Sequence, residues 1–272
     1  MMTVAEAVRA SKLRLDAIAG EESLRQARIL VGYVVGIDDT ALMLHSKMEL
    51  DREQIVELGE YLTRRAQAEP LQYILGEWPF MNLPFCVDTR ALIPRQETET
   101  LVEAAEKLAV ERGYKTALDM CCGCGAVGVS LAARTGVRVT VSDISEDCLS
   151  LTNENAALNG VTVSARRSDL LRDITDSFDM IVCNPPYLSQ KDMEAMQAEL
   201  RFEPREALFG GADGLDFYRR IAGDYARCLN KGGALLMEIG SSQEGEVTAM
   251  FPGAQVIRDA ANLPRVVVVK PG

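Results

Sequence analysis

Histidine is almost missing from this chain of 272 residues, where His45 stands alone. It offers little to a metal site, and it lies far in sequence from the cysteines that cluster as Cys121, Cys122 and Cys124. Those three would need further ligands to hold a metal. Small residues lining a tight turn are the simpler account of them, and no metal is expected. Seven cysteines in all is an odd number, without the spacing of a secreted disulfide framework. No uninterrupted apolar run is long enough to span a bilayer. The N-terminal stretch lacks a signal-peptide core and cleavage site, so a cytoplasmic protein is expected. Basic residues are in deficit, 29 against 40 acidic, for a net charge of −11. The imbalance holds throughout, with 10 basic and 14 acidic side chains in residues 1–94 and 19 and 26 in the remainder. Proteins that bind nucleic acid normally gain affinity by neutralising phosphates with Lys and Arg. Direct nucleic-acid binding is therefore disfavoured, and a protein or small-molecule substrate favoured.

What is present divides the chain in two. Residues 3–69 read as helical. Thr3 with Glu6 fits a capping box, a second helix covers Ser23 to Val35 and stops near Gly36, and Asp51 caps a third that ends before Pro70. Arg64 and Arg65 read as a solvated face. Leu71–Gly76 and Leu83–Val87 are short apolar runs between turn signals, which predicts a hairpin. Thr98 is a candidate cap for a helix through Leu101, Val102, Ala105 and Leu108, and Arg95 with Glu97 read as an ordinary surface pair. From residue 116 strands alternate with helices, the signature of a parallel sheet covered on both faces. The predicted strands are Ala117–Met120, Val137–Ser142, Val161–Ala165, Met180–Cys183 and Ala234–Ile239, with helices including Asp147–Leu158 and Leu215–Leu229. Two β-branched runs, Ala254–Arg258 and Arg265–Lys270, predict a closing antiparallel hairpin.

Chemistry concentrates at the carboxyl ends of the predicted strands, where ligands bind in open α/β sheets. Cys121, Cys122, Gly123, Cys124 and Gly125 end the first strand and enter a helix, and glycines there let a ligand approach the backbone. Gly123–Gly128 also spells the dinucleotide pattern G-x-G-x-x-G, a weak signal by itself. Asp143, ending the second strand, can accept both hydroxyls of a ribose. S-adenosylmethionine and NAD each carry a ribose, so these features do not choose between them. Asp169 and Leu170 then sit where a ring can be edged and covered. The sharpest stretch is Asn184-Pro185-Pro186-Tyr187, directly after a buried strand. Its first proline ends the ladder and holds Asn184 extended. That rigid turn offers oxygens to an NH₂ group beside a methyl donor, an arrangement for which hydride transfer has no use. These residues describe a nitrogen methyltransferase.

The same segments resemble the release factor glutamine methyltransferase family (PrmC/HemK) over nearly the whole chain. The resemblance rests on QYILGEWPF, LIPRQETETLVE, LDMCCGCGAVGVSLA, SDIS, FDMIVCNPPY and EPREALFGGADGLDFYRRIA, the last being the most distinctive. It implies a helical N-terminal domain for substrate recognition (1–70), a β-hairpin linker (71–94) and a methyltransferase domain (95–272). The implied fold is the class I S-adenosylmethionine-dependent one, Rossmann-like, with a mostly parallel seven-stranded sheet ending in an antiparallel hairpin. It implies conversion of S-adenosyl-L-methionine to S-adenosyl-L-homocysteine, and a monomer is expected. The implied substrate is the glutamine of a Gly-Gly-Gln tripeptide in class 1 peptide chain release factors, without nucleic acid or membrane. By match to the family motifs, Cys121–Gly125 border the cofactor's methionine part, Asp143 binds its ribose, and Asp169 and Leu170 lie at the adenine. Asn184 contacts cofactor and substrate, and Asn184, Pro185, Pro186 and Tyr187 hold the glutamine amide. Four positions depart from the pattern. Cys121 and Asn82 stand where glycine is usual, Gln96 where many members have proline, and Leu170 where some have an aromatic residue.

Three other readings remain open on the residues alone. A nucleic-acid amino-methyltransferase would present an unpaired base to the same tetrapeptide. A nicotinamide-dependent oxidoreductase rests only on the glycine pattern. A non-catalytic binding protein keeping the fold has to explain an intact Asn-Pro-Pro-Tyr and Asp143.

Overall fold

A computed structural model describes residues 2–270. The chain forms two compact units, Met1–Gly76 with Ala198–Phe202, and Glu77–Gln197 with Glu203–Gly272. No described helix is long and apolar enough to cross a membrane.

The first unit is helical apart from a two-residue bridge between β1 (Met2–Thr3) and β2 (Glu49–Leu50). Its helices are α1 (Val4–Ala19), α2 (Ser23–Val35), α3 (Asp39–Leu44), α4 (Arg52–Ala66) and α5 (Leu71–Leu75). The predicted start signals hold. Thr3 and Glu6 form a reciprocal capping box, as do Asp51 and Gln54, and Gly36 ends α2 in the left-handed region. Two expectations fail. Leu71–Leu75 is a single helical turn rather than a strand, closed by Gly76 at φ 74°. Leu71, Tyr73, Ile74 and Leu75 are all buried, so no alternation distinguishes strand from helix there. Arg65 is not a solvated residue but 1% exposed. Its guanidinium donates to Gln26 at 2.8 Å and to the Glu69 carbonyl at 3.2 Å, and it pairs with Glu199. Arg64 pairs with Glu69 at 2.6 Å.

The second unit opens with the hairpin β3 (Glu77–Phe80) and β4 (Leu83–Cys86). Its two turn residues, Met81 and Asn82, have φ of 53° and 60°. Those are the values a two-residue type I′ turn requires, and they explain why glycine is usual at position 82. After α6 (Glu99–Arg112) come β5 (Thr116–Met120), α7 (Ala126–Thr135), β6 (Arg138–Asp143), α8 (Glu146–Leu158), β7 (Ser164–Arg167) and β8 (Phe178–Cys183). Then follow α9 (Gln190–Glu194), α10 (Asp216–Asp224), β9 (Leu229–Glu238), α11 (Glu244–Met250), β10 (Gln255–Arg258) and β11 (Pro264–Val269).

The sheet order is β10-β11-β9-β8-β5-β6-β7. β9, β8, β5, β6 and β7 run parallel, while β11 is antiparallel to both β9 and β10. This is the predicted seven-stranded sheet with its closing hairpin. The strand expected at Val161–Ala165 lies at Ser164–Arg167 instead, where all four residues are exposed at the sheet edge. Apolar content marked the wrong residues because an edge strand does not need it. The helix expected over Leu215–Leu229 stops at Asp224 and continues as a 3₁₀ turn, Tyr225–Cys228. The core lies between the sheet and its helices. Met120, Ile181, Cys183, Leu235 and Met237 from the central strands are fully buried in one cluster with Tyr218 and Phe251.

Candidate active site

The parallel strands end on one edge, and the residues just beyond β5, β6, β7 and β8 surround a cavity of about 360 Å³. Nine of the residues singled out from the sequence line it. Cys121, Cys122, Gly123 and Cys124 come from the loop after β5, and Asp143 from the end of β6. Asp169, Leu170, Asn184 and Pro186 come from the ends of β7 and β8. Gly125, Pro185 and Tyr187 do not line it. Gly125 is the N-cap of α7 at φ 81°, and the Tyr187 ring packs against the core cluster.

The loop after β5 follows its left-handed path despite the missing glycine. Cys121 adopts φ 60° with an ordinary side chain, and Leu170 adopts φ 53° at the other side of the cavity. Such values are uncommon outside glycine and mark positions fixed by their surroundings. Behind the loop, Gly128 is forced by contact: a Cβ there would lie 2.7 Å from Asp119 Oδ2 and 3.0 Å from Val141.

Asp119 was not singled out from the sequence, and it governs this corner. It is 1% exposed and accepts a hydrogen bond from Gly128 N at 2.8 Å, occupying an amide in the first turn of α7. Burial pushes its pKa up to about 7, and Asp143 nearby adds to the rise. A dinucleotide pyrophosphate needs that helix end free of carboxylates. Here the end is taken by one, so the glycine pattern does not make a phosphate site. Asp143 accepts from Gly123 N and from Ser145 N, both at 3.0 Å, and burial raises its pKa despite these bonds. A ligand bringing hydroxyl donors to that carboxylate relieves part of its desolvation. Apolar Ile144 and Leu170 flank it, with Cys122 and Val127 also lining the cavity. The donor set therefore fits a nucleoside without phosphates, which S-adenosylmethionine carries.

Asn184 stands where β8 leaves the sheet, one residue beyond the Cys183–Met237 pair that β8 makes with β9. Its side-chain Nδ2 donates to Thr98 Oγ1 at 3.3 Å. That contact corrects the role expected of Thr98. It makes no side-chain cap on α6, which is preceded by a 3₁₀ turn at Gln96–Thr98, and instead faces the cavity. With Nδ2 engaged, Asn184 Oδ1 is left to accept. The turn is braced from beneath. A Cβ on Gly210 would sit 2.7 Å from both the Pro186 carbonyl and Tyr187 Cα, and Gln243 Nε2 donates to the Tyr187 carbonyl at 3.1 Å. Leu188 and Phe209 form a parallel bridge beside it.

Arg95 does not pair with Glu97. It pairs with Glu203, whose other carboxylate oxygen accepts from Ile93 N at 3.0 Å. The Ile93–Glu99 segment and the most distinctive segment, Glu203–Ala222, are thus tied by one buried acid. Beyond the sequence candidates, Arg90 and Arg220 reach the cavity wall, Arg220 paired with Asp169 at 2.7 Å. Arg90 lies in no recognisable motif and Arg220 lies within the Glu203–Ala222 segment, but only the folded arrangement brings either to the cavity.

Fold and site together define a class I S-adenosylmethionine-dependent methyltransferase fold with Asn184 and Pro186 at the cavity edge. Solved structures agree on the fold. The hMettl16 catalytic domain aligns with TM-score 0.56 at 12% identity, covering 82% of this chain and 83% of that one. A Thermus thermophilus 16S rRNA N2 G1207 methyltransferase aligns with TM-score 0.51 at 19% identity, covering 72% and 50%. Residues 96–211 match the methyltransferase small domain and residues 6–76 the PrmC N-terminal domain. Release factor glutamine methyltransferases of Geobacter sulfurreducens (38% identity, 85% of this chain and 83% of that protein) and Koribacter versatilis (35%, 98% of each) are similar along the chain. That of Clostridium acetobutylicum is 34% identical over 92% of each. The chain belongs to the release factor glutamine methyltransferase family.

Proposed function

We propose that this protein transfers a methyl group from S-adenosyl-L-methionine to the side-chain amide nitrogen of a glutamine in class 1 peptide chain release factors. The target is the glutamine of their Gly-Gly-Gln tripeptide. The observation that carries the reading is the Asn184 side chain, which lines the cavity and whose amide nitrogen donates to Thr98, so that its oxygen is left to accept. When bound, the cofactor supplies a sulfonium methyl, an electrophile that nitrogen can attack.

The protein's own task is to make a poor nucleophile competent. A carboxamide lone pair is delocalised into its carbonyl. Accepting the two N–H hydrogens at Asn184 Oδ1 and the Pro185 carbonyl fixes the nitrogen and favours its turning tetrahedral. Positioning of this kind supplies up to about 7–11 kcal/mol. Aimed acceptors add roughly 3–4 kcal/mol each, by analogy with oxyanion sites. Pro185 and Pro186 keep the acceptors from relaxing, because each has a fixed φ. No side-chain base is required, since the N-methylated cation is acidic enough to pass its proton to solvent. Asp143 serves the ribose hydroxyls, Cys121–Gly125 border the methionine part, and Asp169 with Leu170 serve the adenine. The helical N-terminal domain (1–70) takes part in recognising the release factor, and the reaction belongs to the cytoplasm, where translation terminates.

Asn184→Ala is expected to cut turnover on release factor about a hundredfold or more while leaving cofactor affinity within a few-fold. Methyl-transfer assays beside isothermal titration check it, with mass spectrometry locating the added methyl. Near-normal turnover removes Asn184 from its role, and methylation of DNA or ribosomal RNA in place of release factor selects the nucleic-acid reading.

A further inference from the structure

Helix α10, with its cap Leu215, divides its residues among three faces. Leu215, Tyr218 and Ile221, spaced three apart, are buried in the core cluster. Asp216 and Arg219 form an exposed ion pair at 3.0 Å. Phe217 and Arg220, again three apart, are the two residues of the helix that line the cavity. Phe217 thus lies off the core stripe. It is half-buried, packing part of its ring on the core cluster and leaving the rest to the cavity.

Of the described residues that line the cavity, Phe217 is the one aromatic. Leu170, expected at the adenine, is only 7% exposed, so little of its side chain is offered to a ligand. Its loop is held by Ser168, whose hydroxyl donates to the Leu170 carbonyl at 2.7 Å. Arg220 lies 6.0 Å from the centre of the Phe217 ring, at the outer limit of a cation–π contact, and pairs with Asp169 at 2.7 Å. An ion pair between α10 and the end of β7 therefore borders the ring. A flat apolar face beside a carboxylate suits a purine that carries an amino group. Stacking of a base on an aromatic side chain is worth about fivefold to a hundredfold in affinity, which an aliphatic side chain only partly replaces.

We propose that Phe217 is the base-recognition residue of the cavity: its ring, rather than the side chain of Leu170, supplies the aromatic face against which the adenine of S-adenosylmethionine packs. The inference rests on the proposed use of that cofactor, with adenine at Asp169 and Leu170. It goes beyond that reading by placing the principal contact to the base on α10, within the Glu203–Ala222 segment.

The test is calorimetric titration of the full-length protein with S-adenosylhomocysteine and with S-ribosylhomocysteine, which keeps the ribose and homocysteine but has no base. Phe217→Leu retains apolar volume against the core and loses the flat face. It is expected to bind S-adenosylhomocysteine about tenfold more weakly than wild type, while Phe217→Tyr stays within about threefold. Affinity for S-ribosylhomocysteine is expected to be the same in all three. A second measurement uses the scarcity of tryptophan. Trp78, in β3, is the only one in the chain, so Phe217→Trp in a Trp78→Phe background leaves a single indole, on α10. Its fluorescence is expected to be quenched as S-adenosylhomocysteine saturates the site and to be unmoved by S-ribosylhomocysteine. A Phe217→Leu affinity within about twofold of wild type overturns the proposal, as do equal losses for the two ligands or an indole indifferent to S-adenosylhomocysteine. Should Phe217→Leu prove unfolded in a ligand-free melt, the indole titration decides. Failure of wild type to bind S-adenosylhomocysteine sinks the cofactor reading instead, whereas wild-type binding that survives loss of the ring sinks only the role of Phe217.

Discussion

Cys121 shows how much one dihedral angle costs and what holds it. A side chain at φ 60° is strained by roughly 1–2 kcal/mol relative to the ordinary right-handed regions. The strain is tolerated because Cys121 packs against the buried cluster beneath β8 and because Cys122 N is bonded to the Ser142 carbonyl at 3.0 Å. Cysteine has one Sγ on Cβ; valine has two methyl groups and resists this region much more strongly. Cys121→Val is therefore expected to lose about 1–3 kcal/mol of stability and to weaken cofactor binding, whereas Cys121→Gly loses little of either. Denaturant melts and titration with S-adenosylhomocysteine read both. Single side chains were also where the sequence spoke most unevenly. Asn184 and Asp143 were legible because each ends a strand in a recognisable motif. Thr98 and Arg65 were not. A threonine before a helix reads as a cap and an arginine pair as a wet surface. Their actual partners lie 86 residues away for Thr98 and 134 for the Glu199 bonded to Arg65.

The turn after β8 keeps its shape through neighbours rather than through its prolines alone. Leu188 N donates to the Leu208 carbonyl at 2.9 Å, Gly210 N to the Leu188 carbonyl at 2.8 Å, and Gln243 closes the far side. Gly210 lies so close that a Cβ would press on backbone at Pro186, Tyr187 and Gly214, none of which can swing aside. Gly210→Ala is expected to displace the turn and cut turnover about tenfold to a thousandfold, a range that follows from losing one aimed acceptor in part or in full. Gly223, inside α10, meets nothing within 4 Å and has an ordinary helical backbone. Gly223→Ala is expected to raise stability by up to about 1 kcal/mol and leave turnover alone. Thermal melts and a turnover assay on the pair separate a bracing glycine from an incidental one. The element order was legible for the same reason that the brace was not. Hydrophobic period marks buried strands such as β5, β8 and β9, but it is silent about an exposed edge strand like β7. A fully buried single turn such as α5 gives it nothing to alternate. The distinctive Glu203–Ala222 segment sets Gly210 against Pro186 and Glu203 between Ile93 and Arg95, contacts that no local pattern encodes.

Charge is distributed over the second unit so that opposite ends of the pH scale act on different groups. At the ligand edge of the sheet, Asp119 and Glu238 are almost completely buried, and desolvation lifts each pKa to about 7. Both bind a proton more tightly folded than unfolded. Their contribution to stability is complete below about pH 4, where unfolded carboxyls protonate, and is lost as pH rises through about 7. Asp143 shifts in the same direction. Carboxylates elsewhere behave in the opposite sense. Asp88 is held down by Arg90, Asp192 by Ser189, and Asp179 by bonds from Asn230 and the amides of Lys115 and Thr116 that outweigh its burial. What these give is present above about pH 4 and lost as pH falls through their lowered values. They are largely solvent-screened, so the acid limb is shallow. Stability without ligand is accordingly expected to peak near pH 4–5 and to have fallen by pH 8. Each buried acid contributes on the order of a few kcal/mol to that fall, enough to move the melting temperature by roughly 5–10 °C in a protein of this size. Melting curves between pH 5 and pH 8 measure it directly. Asp119→Asn keeps an oxygen for Gly128 N and removes a titrating proton, so the gap between its curve and that of wild type must widen in the variant's favour as pH rises. A gap that stays constant over that range would place the titration outside this corner of the sheet, and with it the electrostatic reason that a phosphate-bearing cofactor is refused there.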